Sequence, residues 1–327
     1  MIRRLRARIL LFALLLFFGA TGPAGAAGPR IGLLSAGTPE STAPMLDGLR
    51  EGLREQGLVE GVNITIEARY AQGRFDRLPQ LARELTAAPV DLLVTVVTQA
   101  TIAARDSTRS IPIVMIGVSD PVATGLVASL SRPGGNVTGT SAMNAETAGK
   151  WLELLREAVP EARRFAVLWN PANRVFQAQL IQQTEAAARS IGLQLQLFEA
   201  QDLASIERAF AAISKQRFSG LNVLTDPTFI AHAGRIAALA EAARLPTVGG
   251  NVAFAEVGGL MAYGPSYPEL ARIAGNYAAR ILKGADPAEL PVQRPTKFEL
   301  VINKKTAARL GLALPASLLL RADRILE

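Results

Sequence analysis

The sequence contains no cysteine. That excludes disulfides, a CxxC redox pair, thiolate metal sites and the acylated cysteine that tethers an exported lipoprotein. Histidine is almost as scarce: the single one, His232, falls in a stretch read as helix, where packing or solvent contact outweighs catalysis. No G-x-S-x-G elbow and no Walker loop occur, and "GLLSAGTPES" (32–41) lacks the G-x-G-x-x-G of a dinucleotide fold. No run of His, Asp and Glu has metal-ligand spacing. These absences argue for a protein that is not an enzyme and uses no cofactor or metal.

Long basic runs are missing too. The formal charge is +7, but Arg3, Arg4, Arg6 and Arg8 supply four of it, and 7 − 4 leaves a scattered +3. Without Lys/Arg clusters interleaved with aromatics, a nucleic-acid partner has no support. The N-terminal arginines open a tripartite segment instead: basic "MIRRLRAR", apolar "ILLFALLLFFGA" and small-residue "TGPAGAAG". This is the pattern of a signal peptide over residues 1–26, with cleavage after Ala26 or Ala27. The apolar run is shorter than the roughly 20 residues that span a bilayer, and Gly22, Pro23 and Gly25 end it. A free periplasmic protein, not a lipoprotein, is the expectation.

After the signal, short apolar runs alternate with segments of helical period. Strands are expected at "RIGLLS" (30–35), "NITIEARY" (63–70), "DLLVTVV" (91–97), "IPIVMIGV" (111–118) and "NVTGTS" (136–141), with helices between them, including a short one near 122–131. A second series runs through "RFAVLWN" (164–170), "LQLQLFEA" (193–200), "GLNVLT" (220–225), "LPTVGG" (245–250) and "GLMAYG" (259–264), with one helix near 228–243. Strand–helix alternation implies parallel sheets with helices on both faces. The two series also answer each other in order: "DLLVTVVTQA" with "GLNVLTDPTF", "RSIPIVMIG" with "ARLPTVGGN", and "GGNVTGTS" with "VGGLMAYGPS". One lobe built twice is the simplest reading.

Three apolar runs end in Asp-Pro or Asn-Pro, at Asp120, Asn170 and Asp226. Proline keeps the preceding residue extended and suits the first helical position, while Asp or Asn caps the helix. Each pair marks a strand-to-helix turn, and open parallel sheets bind ligands at those strand ends. Two such edges facing each other form a cleft. An amino-acid-like ligand there wants a carboxylate for its ammonium, hydroxyls and helix-start N–H groups for its carboxylate, and an apolar wall. Asp120 and Asp226 supply the first; Ser35, Thr98 and Gln99 the second; Trp169, Phe229, Phe254 or Tyr263 the third.

From about Arg30 onward the chain resembles the periplasmic substrate-binding proteins of ABC transporters, the family that includes tryptophan/tyrosine transport binding proteins. The likeness is carried by "GLREQGLVEGVNITIEARYAQGRFDRLPQLA", "IPIVMIGVSDPVATGLVASLSRPGGNVTG", "LWNPAN", "GLMAYGPS" and "QRPTKFELVINKKTAARLGL". The resemblance implies an α/β, type I periplasmic binding fold: two doubly wound lobes around a cleft, joined by three crossing segments. It implies a ligand set of Ser35, Thr98, Gln99, Asp120, Asn170 and Asp226, beside which Trp169 and Tyr263 are expected as walls. It implies a small-molecule ligand, an amino acid with an aromatic one favoured, and an inner-membrane permease whose ATPase is a separate subunit. The same fold could serve a periplasmic sensor that hands its closed state to a membrane signalling partner. A monomer is expected, with an N-terminal lobe of 28–143 plus roughly 266–293 and a C-terminal lobe of 144–265. The strand and helix of 294–327 are left unassigned between the lobes.

Overall fold

The computed structural model describes residues 28–327; the expected signal peptide lies outside the described residues. The first lobe is β1 (Arg30–Ser35), α1 (Pro39–Glu55), β2 (Thr65–Tyr70), α2 (Leu78–Ala87), β3 (Leu92–Val96), α3 (Val97–Ser107), β4 (Ile113–Val118) and β5 (Val137–Ser141). Its strands pair in parallel in the order β2-β1-β3-β4-β5. Period-two alternation feeds two cores, one on each face of the sheet. In β1, Ile31 and Leu33 enter the core shared with α1, whereas Leu34 enters the one shared with α2 and α3.

The second lobe repeats the plan. It comprises α4 (Asn144–Ala158), β6 (Arg164–Trp169), α5 (Arg174–Ser190), β7 (Gln194–Glu199), α6 (Leu203–Ile213), β8 (Gly220–Val223), α7 (Pro227–Ala231), α8 (Ala233–Ala242), β9 (Thr247–Gly249), α9 (Ala253–Glu256) and β10 (Met261–Pro265). With β11 (Phe298–Asn303) and β12 (Arg324–Leu326) from the tail, its sheet runs β12-β11-β10-β9-β8-β6-β7. Renumbered from β6, the five strands β7-β6-β8-β9-β10 have the same 2-1-3-4-5 order as the first lobe. The stretches matched in the sequence therefore occupy equivalent strands: β3 with β8, β4 with β9, β5 with β10.

The chain crosses between lobes after Ser141, after Pro265 and between Gln293 and Phe298. The second crossing leads into α10 (Tyr267–Leu282), which packs on the first lobe against α1. Glycines permit that contact: a Cβ on Gly52 would stand 1.9 Å from the Arg272 carbonyl oxygen, and one on Gly275 would stand 2.4 Å from that of Leu49. At the third crossing, Gln293 still pairs with β5, since its N–H donates to Gly139 O and its carbonyl accepts from Ser141 N, each at 2.9 Å. The tail then joins the second sheet through β11 (Phe298–Asn303), α11 (Lys304–Leu310), α12 (Ala316–Leu320) and β12 (Arg324–Leu326). β11 runs antiparallel to β10, the one departure from parallel pairing among the described strands.

Two local expectations change. Residues 122–131 form turns instead of a helix: Gly125 adopts φ 65°, and the Asp120 carboxylate accepts from Ala123 N at 2.9 Å in a turn that leads nowhere helical. The helix expected over 228–243 is two helices broken at His232, which caps the end of α7 with φ −109°. Among the described residues, no helix is long and apolar enough to cross a membrane.

Candidate functional site

The strand ends of both sheets face each other, and two cavities open between the lobes. The larger, about 850 Å³, lies beneath the loops that follow β1 and β2 in the first lobe and β8 and β9 in the second. The smaller, about 210 Å³, lies beneath the loops after β4 and β5 and against α5. Between them, from the turn after β3, Gln99 donates through Nε2 to Asn173 Oδ1 of the opposite lobe. Both partners sit where the strand order reverses, β1/β3 in one sheet and β6/β8 in the other, the place where open α/β sheets bind ligands.

Asp226 is the chemical centre of the larger cavity. It follows β8, caps α7 and is fully buried. Its Oδ1 accepts from Asn170 Nδ2 at 3.0 Å and from Thr228 N at 2.9 Å, and its Oδ2 accepts from Asn173 Nδ2 at 2.7 Å. Among the described residues it forms no ion pair. Burial pushes its pKa up from the ordinary carboxylate value, and the bonds from Asn170, Asn173 and Thr228 oppose that shift without cancelling it. A buried anion held only by neutral donors is an unbalanced charge, and a cation entering the cavity would balance it.

The remaining lining adds negative charge and apolar surface. Glu40, in the first turn of α1, and Asp202, the N-cap of α6, both have lowered pKa values. Main-chain and Thr38 hydrogen bonds hold Glu40 ionised, and hydrogen bonds from Ser205 hold Asp202. Arg324 at the rim is paired with Glu256 at 2.7 Å. Phe229 and Phe254 line the cavity, although both are also core residues of the second lobe. The start of α1 faces the same space, with Thr38 and Ser41 closing a capping box. Gly73 approaches from the loop after β2, where a Cβ would stand 3.3 Å from Thr228 Oγ1 across the cleft. Among the described residues, no group of three His, Asp or Glu side chains could hold a metal ion.

Besides Phe229 and Phe254, the eight residues singled out from sequence divide between four settings. Asp226 lines the larger cavity, with Asn170 directly behind it. Asp120 lines the smaller cavity, where its Oδ2 accepts from Gln179 Nε2 at 3.2 Å, and Gln99 bridges the lobes between the two. The other four line neither cavity. Ser35 is buried against Thr42, with 2.8 Å between hydroxyls, and Thr98 accepts from Ser119 N at 3.4 Å; both hold turns together within the first lobe. Trp169 packs on the core of the second lobe, and Tyr263 stacks on Phe298 with ring centroids 5.8 Å apart. Asn173, Thr38 and Gln72 were not singled out. Asn173 carried a usable signal, standing three residues after Asn170 in "NPAN", where a turn places both amides on one side.

Backbone strain clusters at the cleft. Among the described residues, four non-glycine residues have positive φ, and three of them, Gln72 (56°), Val97 (66°) and Met143 (53°), follow β2, β3 and β5 at the cleft. A β-branched residue in this region is a genuine outlier, and at Val97 it turns β3 directly into α3, projecting Gln99 across the cleft.

Comparison with known proteins agrees with this architecture. The profile of the family "ABC transporter substrate binding protein" matches residues 38–326. The tyrosine-binding protein of Clostridioides difficile (strain R20291) is 28% identical over 275 residues, 82% of this chain and 78% of that one. A conserved domain protein from Vibrio cholerae, 29% identical, superposes with a TM-score of 0.84 over 91% of this chain and 99% of the other. An ABC domain from Streptococcus pneumoniae in complex with L-Trp, 26% identical, gives the same TM-score of 0.84, covering 91% of this chain and 100% of its own. With its two-lobed type I periplasmic binding fold and a match over nearly its whole described length, this chain belongs to the ABC transporter substrate binding protein family.

Proposed function

We propose that the protein captures a small amino acid-like solute, an aromatic amino acid in preference to others, in the larger cavity between its lobes. The observation that carries this reading is Asp226: a fully buried carboxylate that pairs with no cationic side chain among the described residues, at the wall of a cavity of about 850 Å³. In this reading Asp226 receives the ligand ammonium. The start of α1, with its dipole and the Thr38 and Ser41 hydroxyls, receives the carboxylate. Phe229 and Phe254 face the side chain. The names of two relatives, a tyrosine-binding protein and an L-Trp complex, support the aromatic class.

A solute that touches both lobes stabilises the closed form over the open one, and that differential affinity turns binding into a signal. The permease of an ABC importer then accepts the solute from the closed form, while ATP is spent by a separate subunit. The protein works as an exported, periplasmic monomer without a lipid anchor. The test is calorimetric titration of residues 28–327 with L-tryptophan, L-tyrosine and L-phenylalanine. Binding weakened about tenfold or more in Asp226→Asn supports the reading; binding of equal strength in that variant removes Asp226 from the site.

A further inference from the structure

An amide side chain has one donor end and one acceptor end, and its neighbours decide which way it faces. Asn173 is 2% exposed and stands between two such neighbours. On one side, its Nδ2 donates to Asp226 Oδ2 at 2.7 Å. An ionised carboxylate accepts only, so Asp226 dictates that the NH₂ end faces inward. The Oδ1 end is thereby turned toward the first lobe, where it accepts from Gln99 Nε2. The wall of the cavity and the opposite lobe are thus joined by a continuous chain of two hydrogen bonds.

We propose that Asn173 is the positioning residue through which the state of the cavity reaches the other lobe. A cation at Asp226 keeps the carboxylate ionised, the carboxylate fixes the Asn173 amide, and the fixed amide offers its oxygen to Gln99 and so favours closure. Two further features fit this role. The turn that aims Gln99 is strained at Val97, φ 66°, as expected of a segment held in place for function rather than local stability. Asn173 itself is the last residue of a 3-10 turn (Pro171–Asn173) that is anchored by Asn170, whose Oδ1 accepts from Ala172 N at 3.0 Å. A second bridge, Gln179 to Asp120 at 3.2 Å, crosses in the reverse direction but does not touch Asp226. It provides a control. The proposal rests on the reading that Asp226 faces the solute, and its test must separate the two.

The chain has no cysteine, so Glu51→Cys on the first lobe and Lys215→Cys on the second accept spin labels at two chosen exposed positions. Dipolar spectroscopy then reads the ratio of closed to open molecules, first without added solute and then with L-tryptophan. Loss of one hydrogen bond should lower that ratio about fivefold in Gln99→Ala and in Asn173→Ala. The double variant should fall no further, because both changes delete the same bond, whereas Gln179→Ala should add to either. Polarity supplies the readout that a packing role would not move: Gln99→Glu, the same size but acceptor only, should open the protein, and the donor Gln99→Lys should keep it closed. Additive effects of Gln99→Ala and Asn173→Ala, equal behaviour of Gln99→Glu and Gln99→Lys, or unchanged distances throughout would overturn the proposal. If L-tryptophan fails to close the wild-type protein, the aromatic reading falls, while the comparison made without solute still decides whether Gln99 and Asn173 act through one bond, and their additivity there would overturn the relay.

Discussion

Replacing Asp226 separates what the carboxylate does for binding from what it does for the fold. In Asp226→Ala, the Asn170 and Asn173 NH₂ groups and the Thr228 N–H lose the oxygens they reach at 3.0, 2.7 and 2.9 Å. Each stranded buried donor costs about 1–3 kcal/mol, so the loss should exceed roughly 3 kcal/mol and lower Tm by about 6 °C or more. Asp226→Asn behaves differently. Its oxygen can still serve Asn170 and Thr228, and Asn173 can rotate to accept from the new NH₂. The raised pKa adds a pH signature. A group protonated more readily in the folded state contributes stability that is complete below the unfolded carboxyl pKa, about 3.9, and is lost as pH rises through the folded value. Wild type should therefore lose stability relative to Asp226→Asn between acid and neutral pH, leaving the variant at least as stable at pH 7. Affinity for L-tryptophan or L-tyrosine should fall roughly 10- to 150-fold in the variant, the worth of a hydrogen bond to a charged group, about 1.5–3 kcal/mol. Melting curves across pH and titration calorimetry measure both effects. Unchanged affinity in Asp226→Asn, combined with a Tm lowered as far as in Asp226→Ala, would reduce Asp226 to a helix cap.

Three further outcomes follow from the packing and charge. Gly52→Ala would place a Cβ 1.9 Å from the Arg272 carbonyl oxygen at the α1–α10 contact; forcing the helices apart should cost about 1–3 kcal/mol or more, seen as a lower urea midpoint. Arg244, exposed just beyond α8, has φ 52°, and Arg244→Gly should raise stability by about 1 kcal/mol by removing the Cβ penalty there. Glu55 is held below its ordinary pKa by Asn276 and then Arg272, and Glu269 by Arg272. Depressed values give stability that is present above the unfolded carboxyl pKa, about 4.3, and lost as pH falls through the folded values. Arg272→Ala should accordingly flatten the acid limb of Tm against pH and leave the alkaline limb alone.

Much of the fold is legible from local chemistry. Apolar runs such as "DLLVTVV" need burial on both faces, so they mark parallel strands, and the order of matched stretches already implied one lobe built twice, although not its 2-1-3-4-5 strand order. What failed depended on backbone detail. Gly125 and its capped turn replaced a short helix, and the helix over 228–243 broke at His232, which no periodicity would reveal. The destination of the tail was hidden because β11 pairs antiparallel with β10, outside the repeated pattern. At the cleft, the position of Asp226 was readable because Asp-Pro after an apolar run announces a strand end, and that end lies at the larger cavity. The roles of Ser35 and Thr98 were not: a hydroxyl at a strand end serves a ligand or its own turn, and only the bonds to Thr42 and Ser119 distinguish the two. Trp169, at the end of β6, and Tyr263, in the middle of β10, likewise lie on the face that carries the core.

The most direct test of the account is a thermal-shift screen of residues 28–327 against all amino acids and a wider panel of small solutes. A ligand at a hundred times its Kd stabilises by about 2.7 kcal/mol, a shift of several degrees for a chain of this size. The account predicts a shift confined to tryptophan, tyrosine and phenylalanine and cut to about half or less in Asp226→Asn. Silence from the amino acids together with a shift from a solute that carries no amine would contradict it.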